Sequence, residues 1–150
     1  MIAEKNRKIK IHFIGIGGIG TSGIAELMHK IGYTIYGSDK KNNENVKRLR
    51  DIGIKIKIGH NKKNLQNVNA VVFSSAIPQN NPEILEAKKN QIPIVSRADM
   101  LGELMKHKKC IAVAGSHGKT TTTSLVGNIL ESGRLDPTIV NGGIINSFSK

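Results

Sequence analysis

The feature that most constrains this chain is a run of four glycines in six positions, Gly15-Ile16-Gly17-Gly18-Ile19-Gly20. It follows a short β-rich run, Ile9-Lys-Ile-His-Phe-Ile14, and precedes apolar positions Ile24, Leu27, Met28 and Ile31. Spacings of three and four mark those positions as one face of an amphipathic helix. Gly32 closes that helix, and Tyr33 to Tyr36 reads as a second strand that ends at Gly37-Ser38-Asp39. Strand, glycine turn, helix and strand form a β-α-β unit, whose strands must lie parallel in one sheet.

The alternation continues. A helical stretch surrounds Glu44 to Asp51, a strand carries Ile54, Ile56 and Ile58, and a buried-type strand covers Ala70 to Phe73. Pro82 suits the first turn of a helix bearing Ile84 and Leu85, Ile92 to Val95 reads as another strand, and Ala98 to Met105 carries Leu101, Leu104 and Met105 on one face. Five strands therefore precede residue 106. After the basic stretch Lys106 to Lys109 the pattern restarts with a buried-type strand, Cys110 to Ala114, then a glycine loop, then a helix bearing Leu125, Val126, Ile129 and Leu130. Gly133 ends that helix, and Pro137 to Val140 suggests one more strand before Asn141-Gly142-Gly143. The expected class is α/β: a Rossmann-like parallel-sheet domain over 1–107, then, over 108–150, the start of a truncated P-loop ATPase-type domain, which needs more strands than remain.

Composition narrows the function. The 150 residues carry 23 Lys plus Arg against 11 Asp plus Glu, a formal charge of +12. Those charges are dispersed over loops and element ends, and only Phe13, Tyr33, Tyr36, Phe73 and Phe148 are available for base stacking, so no nucleic-acid partner is expected. A lysine-rich surface of this kind attracts small phosphorylated ligands. No apolar run approaches the ~20 residues that cross a bilayer, so no membrane partner is expected. The single cysteine, Cys110, allows no internal disulfide, and the simplest compartment is a reducing cytoplasm. Cys110 itself is expected to pack as a small apolar side chain, and His12 and His29 as surface or packing histidines.

The first glycine loop satisfies G-x-G-x-x-G in its proper context, with Asp39 at the end of the next strand, 19 residues past Gly20. Its glycines permit a tight turn and close approach of backbone N–H groups to a pyrophosphate at the positive end of the helix dipole. Asp39 would then accept a ribose hydroxyl. The motif alone does not choose among NAD, FAD and a UDP-sugar.

The second loop, Gly115-Ser116-His117-Gly118-Lys119-Thr120, lies between an expected strand and a helix. It is the short form G-x-x-G-K-T; the longer form would need glycine where Val113 stands. Backbone N–H groups of such a loop cradle the phosphates of ATP. Lys119 offers a point charge to the β and γ oxygens, Thr120 can ligate Mg²⁺, and Thr121 adds a phosphate contact. A lysine at a helix start opposes the dipole unless an anion meets it. No general acid or base is assignable.

The two loops together resemble the Mur ligases of bacterial peptidoglycan synthesis. The resemblance rests on Gly15 to Glu26, Ser74-Ser75-Ala76-Ile77-Pro78, Arg97 to Met105 and Ala114 to Thr123, and spans residues 8 to 146. The glycine pattern Gly-Ile-Gly-Gly-Ile-Gly favours the alanine-adding branch over the sibling that recycles muramoyl tripeptide. Thr21 stands where the family usually has methionine, and Gly102 where it usually has alanine.

The resemblance implies an enzyme that activates the carboxylate of UDP-N-acetylmuramate as an acyl phosphate with ATP and Mg²⁺, after which L-alanine displaces phosphate. Lys119 is the implied catalytic residue and Thr120 the metal ligand, with Gly115, Ser116, His117, Gly118 and Thr121 completing the ATP loop. The UDP-sugar would lie on Gly15, Ile16, Gly17, Gly18, Ile19 and Gly20, with Asp39, His60, Ser74, Ser75, Ala76 and Ile77 as neighbours. The family's remaining catalytic residues and its third domain would fall beyond Lys150. This chain alone is then expected to bind the UDP-sugar without turnover. Two other classes stay open: an NAD-dependent oxidoreductase module, which leaves the loop at 115–120 unexplained, and a non-catalytic nucleotide-binding protein.

Overall fold

The computed structural model describes residues 9–106, 109–141 and 144–147. Its first part is a five-stranded parallel sheet in the order β3-β2-β1-β4-β5, formed by β1 (Lys10–Ile14), β2 (Thr34–Asp39), β3 (Lys55–Ile58), β4 (Ala70–Phe73) and β5 (Ile94–Ser96). Helices α1 (Ile19–Lys30), α2 (Glu44–Asp51), α3 (Pro82–Lys89) and α4 (Arg97–Met105) make the crossovers, with a 3₁₀ turn at Lys62–Leu65. The five strands and their order in the chain match the sequence expectation, with boundaries shifted by a few residues.

Side-chain alternation along the strands sorts the core into two layers. Ile11 and Phe13 of β1 face one side, where they join Ile16, Ile24, Ala25 and Met28 from α1 and its loop, Val46 and Leu49 from α2, and Met100 from α4. Ile14 faces the other side with Val71, Leu65, and Ile84 and Ala87 of α3. The edge strand β3 buries Ile56 but exposes Lys55 and Lys57. Charged side chains on an outer strand discourage pairing with another sheet.

Helix ends follow local chemistry. Asn43, Asn81 and Ser96 cap α2, α3 and α4 by accepting the N–H groups of Val46, Glu83 and Asp99. Gly32, at φ +101°, closes α1, with Tyr33 N–H donating back to the Met28 carbonyl. Gly53 does the same for α2, where Ile54 N–H donates to Leu49. The last residue before β5 that reverses the chain is not glycine: Gln91 takes φ +53° after α3.

The second part differs from expectation in its first strand and in a strand added at its end. Cys110 to Ala114 forms no strand, and Cys110 and Ile111 are exposed instead of buried. A buried parallel strand exists only between neighbours that satisfy its N–H and C=O groups, and none of the described residues lies alongside this segment in a sheet. The expected helix is present as α5 (Lys119–Ser132). Gly133 stands at its end, but the left-handed turn is taken by Arg134, at φ +59°. The expected last strand is β6 (Thr138–Asn141), and it pairs antiparallel with β7 (Ile144–Ser147), which approaches α1. The connection, Gly142-Gly143, lies outside the described residues, as do His107 and Lys108 of the basic stretch. Among the described residues no helix is long and apolar enough to cross a membrane.

Candidate nucleotide-binding site

The strand order reverses direction between β1 and β4, so the loops leaving those strands diverge to opposite faces and open a crevice at the carboxyl edge. Register brings the loop origins level: Ile14 of β1 pairs with Ser38 on one side and Phe73 on the other. Gly15 turns the chain at φ +74°, and the N–H groups of Gly15 and Ile16 both donate to the Ser38 carbonyl, at 2.8 and 3.0 Å. Gly17 N–H donates to Asp39 Oδ2 at 2.8 Å. Helix α1 then begins at Ile19 with Gly18 as its N-cap, no capping side chain and no acidic residue in the first turn. Its free N–H groups and dipole suit an anion.

The sequence-derived residues converge here to different degrees. Ser74 to Ile77 forms a turn closed by Ile77 N–H donating to the Ser74 carbonyl at 3.0 Å. The Ile77 side chain lies where a Cβ on Gly15 would sit, at 2.9 Å, so this loop abuts the glycine loop. Ser75 and Ala76 are exposed beside it. Ile16 is fully buried in the core, so only its backbone can face a ligand, whereas Ile19 is exposed. Asp39 closes β2 and is already shared between Gly17 N–H and Lys41 N–H. His60 follows β3, tied in by Gly59 N–H donating to the Asp39 carbonyl at 2.8 Å.

Several residues of this site were not singled out from sequence. Asn43 and Asn45 each donate a side-chain N–H to the Gly17 carbonyl at 3.0 Å, fixing the loop from the α2 side. The Arg97 guanidinium occupies the space a Cβ on Gly20 would need, which places a cation beside the first turn of α1. Arg97 was legible only as part of the resemblance, with no role attached.

Beneath the crevice lies a buried polar cluster centred on Glu83, at the start of α3. Its Oε2 accepts Ser38 Oγ–H at 2.5 Å and lies 3.4 Å from His12 Nε2 and from His60 Nδ1. Its Oε1 accepts Asn61 N–H at 3.2 Å and Asn64 Nδ2–H at 2.5 Å. Burial pushes the Glu83 carboxyl up, but the hydrogen bonds from His12, Ser38 and Asn64 and the nearby His12 ring outweigh it and bring the value down to about 2. His12 is therefore a packing histidine, 1 % exposed, with a polar partner.

The second loop is built independently. Gly115 and Gly118 adopt φ +156° and +75°, and Gly118 is the N-cap from which α5 starts at Lys119. Lys119 Nζ donates to the carbonyls of Gly115 at 2.5 Å and Ser116 at 3.3 Å, so its ammonium lies curled over the loop. Asn141 of β6 braces the same turn, donating to Ser124 Oγ at 2.9 Å and to the Thr120 carbonyl at 3.4 Å. Lys119, Thr120, Thr121 and His117 are all exposed. A curled ammonium, left-handed glycine and uncapped helix start fit the phosphates of a nucleoside triphosphate, and the Thr120 hydroxyl fits a Mg²⁺ held against them.

The model of the Mur ligase family, catalytic domain, matches residues 10–109. A UDP-N-acetylmuramate–L-alanine ligase of Methylorubrum extorquens strain PA1 is 58 % identical over 138 residues, covering 92 % of this chain and 30 % of the relative. Among solved structures, the UDP-N-acetylmuramate-alanine ligase MurC of Thermotoga maritima superposes with a TM-score of 0.82 at 38 % identity, over 89 % of this chain and 32 % of that one. A murein peptide ligase of Psychrobacter arcticus 273-4 gives 0.84 at 29 % identity, over 95 % of this chain and 30 % of that one. The chain thus spans about 30 % of the length of the curated relatives it matches. With the family model covering two thirds of its residues and the glycine loop at the switch point of its sheet, the chain belongs to the Mur ligase family.

Proposed function

We propose that this chain carries the UDP-sugar site and the opening of the ATP site of an ATP-dependent UDP-N-acetylmuramate:L-alanine ligase. The observation that carries the proposal is the pairing, in one chain, of a glycine loop at the sheet's switch point with a second loop whose lysine curls over its own carbonyls. A nicotinamide-dependent module has a use for the first and none for the second. Among solved structures the relative named for alanine addition is 38 % identical and the murein peptide ligase 29 %, which supports the alanine-adding branch.

In the proposed reaction a carboxylate oxygen of the muramoyl group attacks the γ-phosphorus of ATP and ADP departs. The amine of L-alanine then attacks the acyl carbon, and the C–O bond breaks to release phosphate. The N–H groups of Ile19 and Gly20 at the start of α1, the two in the loop that no acceptor among the described residues uses, hold the pyrophosphate of the UDP-sugar, and Asp39 fixes the loop behind them by accepting the Gly17 N–H. Lys119 swings from the Gly115 carbonyl to the β and γ oxygens. Mg²⁺, when bound at Thr120, supplies neutralising charge to those phosphates. The division proposed near residue 107 separates the two sites, and the proposed setting is the cytoplasm, where such phosphorylated precursors are made.

Turnover is proposed to need segments that the longer relatives carry outside the matched stretch. The test is a thermal shift with UDP-N-acetylmuramate, NAD and Mg-ATP offered separately, because a ligand bound only by the native state raises the melting temperature. Stabilisation by the UDP-sugar is expected. Stabilisation by NAD in its place would overturn the proposal, and steady release of UDP-N-acetylmuramoyl-L-alanine by this chain alone would overturn its need for further segments.

A further inference from the structure

The Glu83 cluster lies outside the roles assigned so far, and its protons can be accounted for one at a time. Glu83 and Ser38 are both fully buried, at 0 % exposure. An ionised carboxylate only accepts hydrogen bonds, so the 2.5 Å contact with Ser38 uses the single Ser38 O–H. Ser38 Oγ then has only lone pairs to offer His60 Nδ1, 3.0 Å away. His60 Nδ1 must therefore carry a proton, and the neutral ring keeps its lone pair on Nε2. The His60 side chain is 6 % exposed, and its Nε2 has no hydrogen-bond partner among the described residues. The same Ser38 holds the glycine loop through its carbonyl, which accepts Gly15 and Ile16 N–H.

We propose that Glu83, acting through Ser38, is a positioning residue that presents His60 Nε2 as a hydrogen-bond acceptor to the bound nucleotide. The group His60 meets is then a nucleoside donor, a ribose hydroxyl or the base imide N–H, and not a phosphate oxygen. The inference rests on the assignment of the glycine loop as a nucleotide site. It gives His60 a task distinct from that of the loop: the loop takes the charge of the pyrophosphate, and His60 selects for the nucleoside attached to it.

The experiment uses the whole chain and UDP as the probe. Long-range ¹H–¹⁵N correlation spectra of the imidazoles report the tautomer directly, and calorimetry reports affinity for UDP and for inorganic pyrophosphate. The expected spectrum shows His60 as the Nδ1–H tautomer, shifting toward a mixture in Ser38→Ala, a change that leaves the backbone carbonyl of residue 38 in place. UDP affinity should fall about tenfold in both Ser38→Ala and His60→Ala, with pyrophosphate affinity unchanged. Analogues of UDP lacking the 2′-hydroxyl, the 3′-hydroxyl or, by N3-methylation, the imide proton identify the donor: the one His60 meets binds wild type and His60→Ala equally. An Nε2–H tautomer in the wild-type chain overturns the inference even if Ser38→Ala fails to fold. So does UDP affinity that ignores His60→Ala, or sensitivity retained by all three analogues. Failure of the wild-type chain to bind UDP at all is a different result, and removes the nucleotide site itself.

Discussion

Asp39 Oδ2 accepts the Gly17 N–H at 2.8 Å while its Oδ1 accepts the Lys41 N–H at 3.0 Å, so one carboxylate clamps the glycine loop to the end of β2. A hydrogen bond to a charged group contributes about 1.5–3 kcal/mol when it is sheltered, and less at a half-exposed site such as this one. Asp39→Ala should lower the free energy of urea unfolding by about 1 kcal/mol and weaken UDP binding about tenfold or more, because the loop loses its brace and the nucleotide its neighbouring acceptor. Asp39→Asn keeps an acceptor for Gly17 and should fall between the two. Calorimetric affinities identical in all three proteins would remove Asp39 from the site.

Acid should attack this fold through Glu83. Its carboxyl titrates at about 2 in the folded chain against 4.5 as a free group, so the unfolded chain binds the proton first. The stability Glu83 contributes is complete above pH 4.5 and is lost as pH falls toward 2. Urea midpoints taken at pH 7, 4 and 3 should drop more steeply for wild type than for Glu83→Gln, which has no proton to gain at this position. Parallel pH profiles would mean that the buried carboxylate is not held ionised by its hydrogen bonds.

The sheet was legible in the sequence because each of its parts announces itself locally. The β-rich runs at Ile9 to Ile14 and Ala70 to Phe73 read as strands, and Gly32 stops a helix by a backbone turn that favours glycine. The Glu83 cluster was not legible, since its members come from β1, β2, the turn after β3 and the start of α3, and only the strand order brings them together. In sequence, Glu83 is an ordinary acidic residue after a helix-starting proline. Cys110 to Ala114 failed for the opposite reason: its composition is that of a buried strand, but composition does not supply the neighbouring strands that would bury it.

Two glycines predict opposite outcomes for one substitution. A Cβ on Gly37 would come within 2.5–2.9 Å of three side-chain atoms of Ile16, which is itself fully buried. Gly37→Ala should therefore cost about 1–3 kcal/mol through overpacking and displace the loop that Ile16 anchors. Gly102 sits inside α4 with nothing within 4 Å of an added Cβ. Gly102→Ala should stabilise the chain by about 0.5–1 kcal/mol, since alanine loses less backbone freedom in a helix. Paired urea unfolding curves decide both, and destabilisation by Gly102→Ala would mean that the space beside residue 102 is not open to a methyl group.

Lys119 separates stability from binding. Its ammonium is exposed and its partners are two carbonyls of its own loop, so little of the fold depends on it. It also stands in the first turn of α5, where the helix dipole opposes a cation. Lys119→Ala should therefore leave the urea midpoint within about 0.5 kcal/mol of wild type. With no ammonium to meet the β and γ phosphates, the same variant should lose whatever affinity the loop has for Mg-ATP, while its affinity for UDP stays unchanged because Gly15 to Gly20 form a separate site. Fluorescence titration with a labelled ATP analogue, run beside UDP calorimetry, measures both. Undiminished analogue binding by Lys119→Ala would mean that the loop at 115–120 does not hold triphosphate through its lysine, and the assignment of that loop would fall without touching the first.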